Sequence, residues 1–66
     1  MRVLIQDDET QLYAGYLGRW TDSAKEARDF AMSVHARSVA QALQLKKFRV
    51  LFYFPDLNYE IVVCES

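Results

Sequence analysis

Residues 16–30 read YLGRWTDSAKEARDF, and this stretch takes the chain from strand-like sequence into helix-like sequence. Gly18 permits a sharp bend, and residues 19–21 follow as a brief extended piece. The stretch therefore predicts a strand-to-helix corner. Trp20 lies at this corner, where we expect its large ring to be buried and to close one end of the core.

A single long helix is predicted after the corner. Ser23 is followed three residues later by Glu26, which is a capping-box pattern, and Asp22 is a competing N-cap. No Gly or Pro occurs over residues 24–46, where alanine is frequent, and two lysines at the end suit the negative end of the helix dipole. We expect the helix to cover this whole range.

A hairpin is predicted before the corner. Residues 1–6, MRVLIQ, alternate with a period of two, and the polar turn DDET separates them from a second strand-like run, QLYAGYL. Gly15 within that run indicates a bulge or a close approach of backbone. The N-terminal part of the chain is thus two strands joined by a short turn.

A second hairpin is predicted after the helix. Residues 48–54, FRVLFYF, and residues 59–64, YEIVVC, have strand composition, and PDLN between them has turn chemistry. Pro55 suits the first corner of a turn, and Asn58 tolerates a left-handed backbone.

These elements predict one α+β domain over residues 1–66, built as hairpin, helix, hairpin. If the strand after the helix pairs with the first strand, the sheet is antiparallel with four strands in the order 2-1-3-4, not counting residues 19–21. The long helix is expected to pack on one face, where it shares a core with the phenylalanines of FRVLFYF.

The corner also resembles a pattern in small uncharacterised bacterial and phage-encoded proteins. The similarity lies in residues 16–22, with Ala27 and Phe30 on the inner face of the following helix. Those proteins have an N-terminal hairpin, a Gly-x-Trp-Thr corner and a helix. The resemblance covers about the first half of this chain and implies the fold, but it implies no activity and no catalytic residue.

Composition narrows the range of functions. Eight Lys+Arg against nine Asp+Glu give a net charge of −1, so no excess of basic charge favours nucleic acid as a partner. One cysteine cannot form an internal disulfide, and no apolar stretch approaches the ~20 residues of a membrane span. We therefore expect a cytoplasmic protein without a membrane association.

Catalytic and cofactor signatures are weak. The two glycines make no phosphate-binding loop, and His35 and Cys64 are single and far apart, without metal-ligand spacing. The acidic run at residues 7–9 is read as a solvated turn rather than a cation site. We expect no enzyme activity, no cofactor and no metal.

The helix carries a second apolar stripe formed by Met32, Ala36, Val39 and Leu43. The first stripe, which faces the sheet, comprises Ala27, Phe30, Ala31, Val34, Ala42 and Leu45. A helix that is apolar over a wide arc is covered by more than one sheet face. The second stripe could lie against the C-terminal hairpin or Trp20, or it could form a two-fold interface in a homodimer.

The outer sheet face is predicted to expose Arg49, Leu51 and Tyr53, together with Val62 and Cys64. Arginine and aromatic residues on an open sheet suit a protein interface, and they can also stack unpaired bases. With a slightly acidic chain we favour a non-enzymatic interaction module that self-associates through apolar helix or sheet surfaces. Single-stranded nucleic-acid binding through the outer face is the alternative.

Overall fold

The computed structural model describes all residues, 1–66, as one antiparallel sheet with a helix on one face. The elements in chain order are strand β1 (Arg2–Asp7), strand β2 (Tyr13–Ala14), strand β3 (Trp20–Thr21), 3₁₀ turn η1 (Ala24–Glu26), helix α1 (Ser33–Ala42), strand β4 (Phe48–Phe54), 3₁₀ turn η2 (Pro55–Leu57) and strand β5 (Tyr59–Glu65). The strand order is β3-β2-β1-β4-β5.

The α+β antiparallel prediction is confirmed, and the four predicted strands are neighbours in the predicted order. The sheet has five strands rather than four, because residues 20–21 pair with β2 as an additional edge strand. Strand β2 is also shorter than the run QLYAGYL suggested. The chain turns directly after Ala14, and the N–H of Gly15 donates to the carbonyl of Arg19 at 2.7 Å to close the turn between β2 and β3. A Cβ on Gly15 would lie 3.0 Å from that oxygen, which confirms the predicted close approach.

The helix is much shorter than predicted, because it begins at Ser33 rather than near residue 24. Ser23 precedes only the η1 turn, and its side chain makes no capping hydrogen bond. The residues between η1 and α1 bond to the sheet instead. The N–H of Arg28 donates to the carbonyl of Ala14 at 2.9 Å, and the N–H of Phe30 donates to that of Val3 at 2.8 Å. Tertiary hydrogen bonds here override helix propensity, which is a weak preference.

The segment between η1 and α1 passes through the sheet from one face to the other. Strands β1 and β2 pair only at Gln6 and Tyr13, so they leave a gap beyond that pair. Ala27 packs on the face opposite α1, whereas Phe30 packs on the α1 face. Residues 28–30 therefore occupy the gap, and we call them the crossing segment.

The sheet separates two apolar clusters. The α1-side cluster comprises Val3, Ile5, Ala14, Phe30, Ala36, Ala40, Phe48 and Val50. The outer-face cluster comprises Leu4, Tyr13, Ala27, Leu51 and Tyr53, with Ala24 of η1 packed against it. Both faces of the central strands are thus covered, and the prediction of a single covered face is corrected.

Two turns follow the predicted backbone chemistry. Pro55 begins η2, and Asn58 ends it in the left-handed region with a φ of 47°. Gly18, the predicted bend before β3, has a φ of 73°. None of the protein's helices has the length and apolar character that spanning a bilayer requires.

Candidate functional site

The four residues of the predicted second helix stripe do not form one surface. Ala36 is fully buried in the α1-side cluster, and Val39 is half-buried against the same cluster. Met32, which precedes the first residue of α1, and Leu43, which follows the last, are exposed. Ala36 therefore belongs to the core of the chain, and the stripe as a continuous two-fold interface is not supported by its placement.

The predicted outer-face residues also lie mostly inside the protein. Leu51 and Tyr53 are only 2% and 1% exposed, because η1 and Ala27 cover that face. Arg49 is half-exposed, and its guanidinium pairs with Asp8 at 2.6 Å and, more loosely, with Glu65 at 3.7 Å. The expectation of an open outer face is therefore wrong. The residues on which the nucleic-acid alternative depended are buried or ion-paired.

Cys64 is half-buried on the α1 side rather than on the outer face. A bulge between Val50 and Leu51 shifts the register, so that Cys64 pairs with Val50 and Val62 pairs with Leu51. Cys64 packs against the α1-side cluster. Because the bulge adds one residue to β5, it reverses the alternation that strand periodicity predicts.

A hydrogen-bonded polar group lies at the edge of the outer-face cluster. The hydroxyl of Tyr13 donates to Oε2 of Glu60 at 2.6 Å, and that of Tyr53 lies 3.2 Å from Oδ1 of Asn58. A cavity of about 390 Å³ adjoins these residues. Burial, followed by the hydrogen bond to Glu60, raises the pKa of Tyr13 to about 12. Tyr13 is therefore a hydrogen-bond donor that ties β2 to β5, and it is poorly suited to act as a base.

The other chemically active side chains are dispersed. The exposed ring of His35 lies 6.1 Å, centroid to centroid, from the ring of Phe30. The carboxylate of Asp7 accepts the N–H of Glu9 at 2.9 Å, so it shapes the turn of the predicted acidic run. No three His, Cys, Asp or Glu side chains are grouped in a way that could hold a metal ion.

Strand β5 is the most exposed apolar element of the sheet. It pairs with β4 on one side and has no neighbour on the other. Three consecutive residues, Ile61, Val62 and Val63, are 41%, 46% and 40% exposed. The predicted strand order already placed this strand at an edge of the sheet. That position was the available signal for the exposed edge, which the sequence analysis did not propose as a binding surface.

Trp20 is 38% exposed, so the prediction that it closes the core is wrong. It lies on the two-residue edge strand β3, opposite Ala14, whose side chain belongs to the α1-side cluster. The ring therefore stands on the α1 side of the sheet, beside a part of the sheet that the short helix leaves uncovered. Cavities adjoin the ring on that side.

Comparison with known proteins identifies no relative, since no family model, curated protein or solved structure matches the chain. The resemblance to small bacterial and phage-encoded proteins stays a prediction. The two surfaces that the structure brings forward are the free edge of β5 and the groove beside Trp20.

Proposed function

We propose that this protein is a non-enzymatic interaction module that self-associates by pairing strand β5 with β5 of a second copy. The observation that carries the proposal is the free edge of β5, a seven-residue strand with a neighbour on one side only. Such an edge presents unpaired backbone N–H and C=O groups, which form a template for another strand.

Both the backbone and the side chains of β5 favour association. Ile61 lies on the α1 side of the sheet and Val62 on the outer side, since they pair with Phe52 and Leu51. Both remain more than two-fifths exposed. Burying apolar surface contributes about 25 cal/mol per Å², so a partner strand would gain stability from both faces.

A two-fold axis centred on Ile61 gives a register without charge conflict. Antiparallel pairing about this residue places Ile61 opposite its own copy and Glu60 opposite Val62. Its central pairs lie in the regular part of β5, and the bulge at Val63 is reached only at the next pair, opposite Tyr59. A register centred on Glu60 would place two glutamates opposite each other, which is destabilising. The Ile61-centred dimer would have one continuous sheet of ten strands.

The size of the domain supports a second copy as the partner. A chain of 66 residues has a small core, and small domains often gain stability by oligomerising. Two-fold dimers are the commonest closed assemblies of identical chains. An extended segment of another protein could pair with the same edge. A second copy is favoured because β5 can pair with its own sequence without placing like charges opposite each other.

The test exploits the charge at the centre of the proposed register. Ile61→Lys and Ile61→Glu should each be monomeric, because each places like charges opposite one another. An equimolar mixture of the two variants should form a heterodimer, since the opposed charges then attract. Sedimentation velocity at high micromolar concentration measures all three samples, and Val34→Lys on the exposed face of α1 is the matched control.

Two results would contradict the proposal. Wild-type protein that stays monomeric at high micromolar concentration would rule out self-association. If wild type is dimeric but Ile61→Lys remains dimeric, the interface lies elsewhere on the chain. Val34→Lys should dimerise as wild type does, because α1 takes no part in the proposed pairing.

A further inference from the structure

A groove runs on the α1 side of the sheet, between the C-terminal end of α1 and the ribbon formed by β2 and β3. It exists because α1 packs over β1 and β4 and leaves the shorter strands uncovered. Two cavities of about 350 and 250 Å³ occupy the groove. Trp20 and Leu43 line both cavities, so the two adjoin at these side chains.

The smaller cavity is apolar over most of its wall. Trp20, Phe30, Val39 and Leu43 are among its lining residues, while Gly15 and Gly18 contribute no side chain that could fill it. Small-molecule sites are typically concave and apolar, with a few polar groups that fix the orientation of the ligand. The exposed face of an indole is well suited to an aromatic or branched aliphatic group.

The charged residues that line the smaller cavity are both positive. Arg19 and Arg28 line it, and no acidic residue does. Neither guanidinium forms an ion pair, since the only ion pairs in the chain belong to Arg49. The guanidinium carbon of Arg28 lies 4.6 Å from the centroid of the Phe30 ring. This contact restrains the group, and the side chain makes no hydrogen bond within the chain, so its N–H donors remain free.

We infer that the smaller cavity binds a small apolar molecule that carries a carboxylate. The aromatic or branched group packs against Trp20 and Leu43, and the carboxylate accepts hydrogen bonds from Arg28 and Arg19. Arginine is the residue best matched to a carboxylate, because its planar fork can bind both oxygens. This site is separate from the β5 edge and does not depend on the proposed self-association.

The charges along the groove and the volume of the smaller cavity both favour a small carboxylate. Asp7 lines the larger cavity, so a carboxylate is attracted to the arginine end of the groove and repelled from the opposite end. A volume of about 250 Å³ suits a single ring with a short side chain.

The indole N–H of Trp20 provides a single reporter, because the chain has no other tryptophan. ¹⁵N-labelled protein is titrated with 3-phenylpropionate, and the indole signal should shift and saturate. The matched neutral compound, 3-phenylpropionamide, should bind about tenfold more weakly, since it lacks the charge that the arginines recognise. Arg28→Gln should weaken the binding of 3-phenylpropionate by a similar factor. Arg37→Gln, on the exposed part of α1, should leave that binding unchanged.

A second variant keeps the test decisive if Arg28→Gln does not fold. Arg19 lies in an exposed loop. Arg19→Gln should therefore weaken the binding of 3-phenylpropionate without altering the rest of the spectrum. Equal affinity for the acid and the amide, or full affinity in both arginine variants, would overturn the inference. A shift that grows linearly without saturation would do the same. A single-stranded oligonucleotide that moves the indole signal at lower concentration than the acid would replace the inferred ligand with nucleic acid.

Discussion

The backbone N–H of Val3 donates to Oδ1 of Asp29 at 3.0 Å, across 26 residues of chain. The same oxygen accepts the N–H of Ala31 at 2.8 Å, where the backbone is left-handed with a φ of 68°. One carboxylate oxygen thus holds the crossing segment against β1 and supports a conformation that costs free energy in alanine. Asp29 caps no helix, since α1 begins at Ser33, but it satisfies two backbone donors that lie outside the helix.

Replacing Asp29 by alanine should lower the free energy of unfolding by about 1–2 kcal/mol, as loss of a capping side chain does. Two backbone N–H groups lose their acceptor in this variant. Urea denaturation measures the change, and Asp22→Ala is the control, because Asp22 is exposed and makes no side-chain hydrogen bond. Equal stability of the two variants would mean that the carboxylate does not hold the crossing segment.

The contribution of Asp29 should also depend on pH. Hydrogen bonds from the backbone of Val3 and then Ala31 lower the pKa of Asp29 below 3.8. As pH falls, the unfolded chain therefore takes up the proton first, so the stabilisation is complete above pH 3.8 and declines below it. The stability difference between wild type and Asp29→Ala should narrow as the pH falls below 3.8. A difference that stays constant down to acid unfolding would contradict this.

Tyr13→Phe should cost about 1–2 kcal/mol, because it removes a hydrogen bond to a carboxylate. The folded-state pKa of Tyr13 is about 12 and its ordinary value is 10.0, so the unfolded chain ionises first as pH rises. Its stabilisation is present below pH 10 and is lost between pH 10 and 12. Denaturation curves at pH 9 and pH 11 should show a larger alkaline loss in wild type than in Tyr13→Phe.

Phe48→Ala should destabilise the fold by about 3–5 kcal/mol, the range for emptying a buried aromatic site. Phe48 is buried in the α1-side cluster. Trp20→Ala should cost less than half as much, because the indole is partly exposed and lines a groove. Urea denaturation measures the free energy of unfolding of both variants. A larger loss for Trp20→Ala than for Phe48→Ala would mean that Trp20 is a core residue.

Gln44→Gly should stabilise the protein by about 0.5–1 kcal/mol, because glycine adopts a positive φ without steric cost. Gln44 follows α1 with a φ of 59°, and the N–H of Leu45 reaches back to the carbonyl of Ala40 at 3.3 Å. This is the arrangement in which helices commonly end with glycine, because a Cβ is strained there. Thermal unfolding measures the gain, and Gln41→Gly, within the helix, should instead be destabilising.

Strand content and strand order were predictable because they depend on local signals. The alternation in residues 1–6 and 48–54 and the turn at Pro55 and Asn58 each indicate an element on their own. Once two hairpins flank a helix, few sheet topologies remain. The edge position of β5 followed from that order.

The length of the helix and the burial of Trp20 were not predictable from local signals. Residues 24–32 have helical composition, but Arg28 and Phe30 gain hydrogen bonds to β2 and β1 that no local pattern reveals. Since α1 is short, it leaves β3 uncovered and Trp20 exposed. The outer face was misjudged for the same reason, because the misread segment is the one that covers Leu51 and Tyr53.

The crossing segment has a consequence for how the protein unfolds. Ala27 belongs to one apolar cluster and Phe30 to the other, with three peptide bonds between them. Neither cluster can open widely without pulling on the residues that anchor the other one. The two layers should therefore melt together as a single cooperative unit, with the amide hydrogens of Arg28 and Phe30 among the slowest to exchange with solvent.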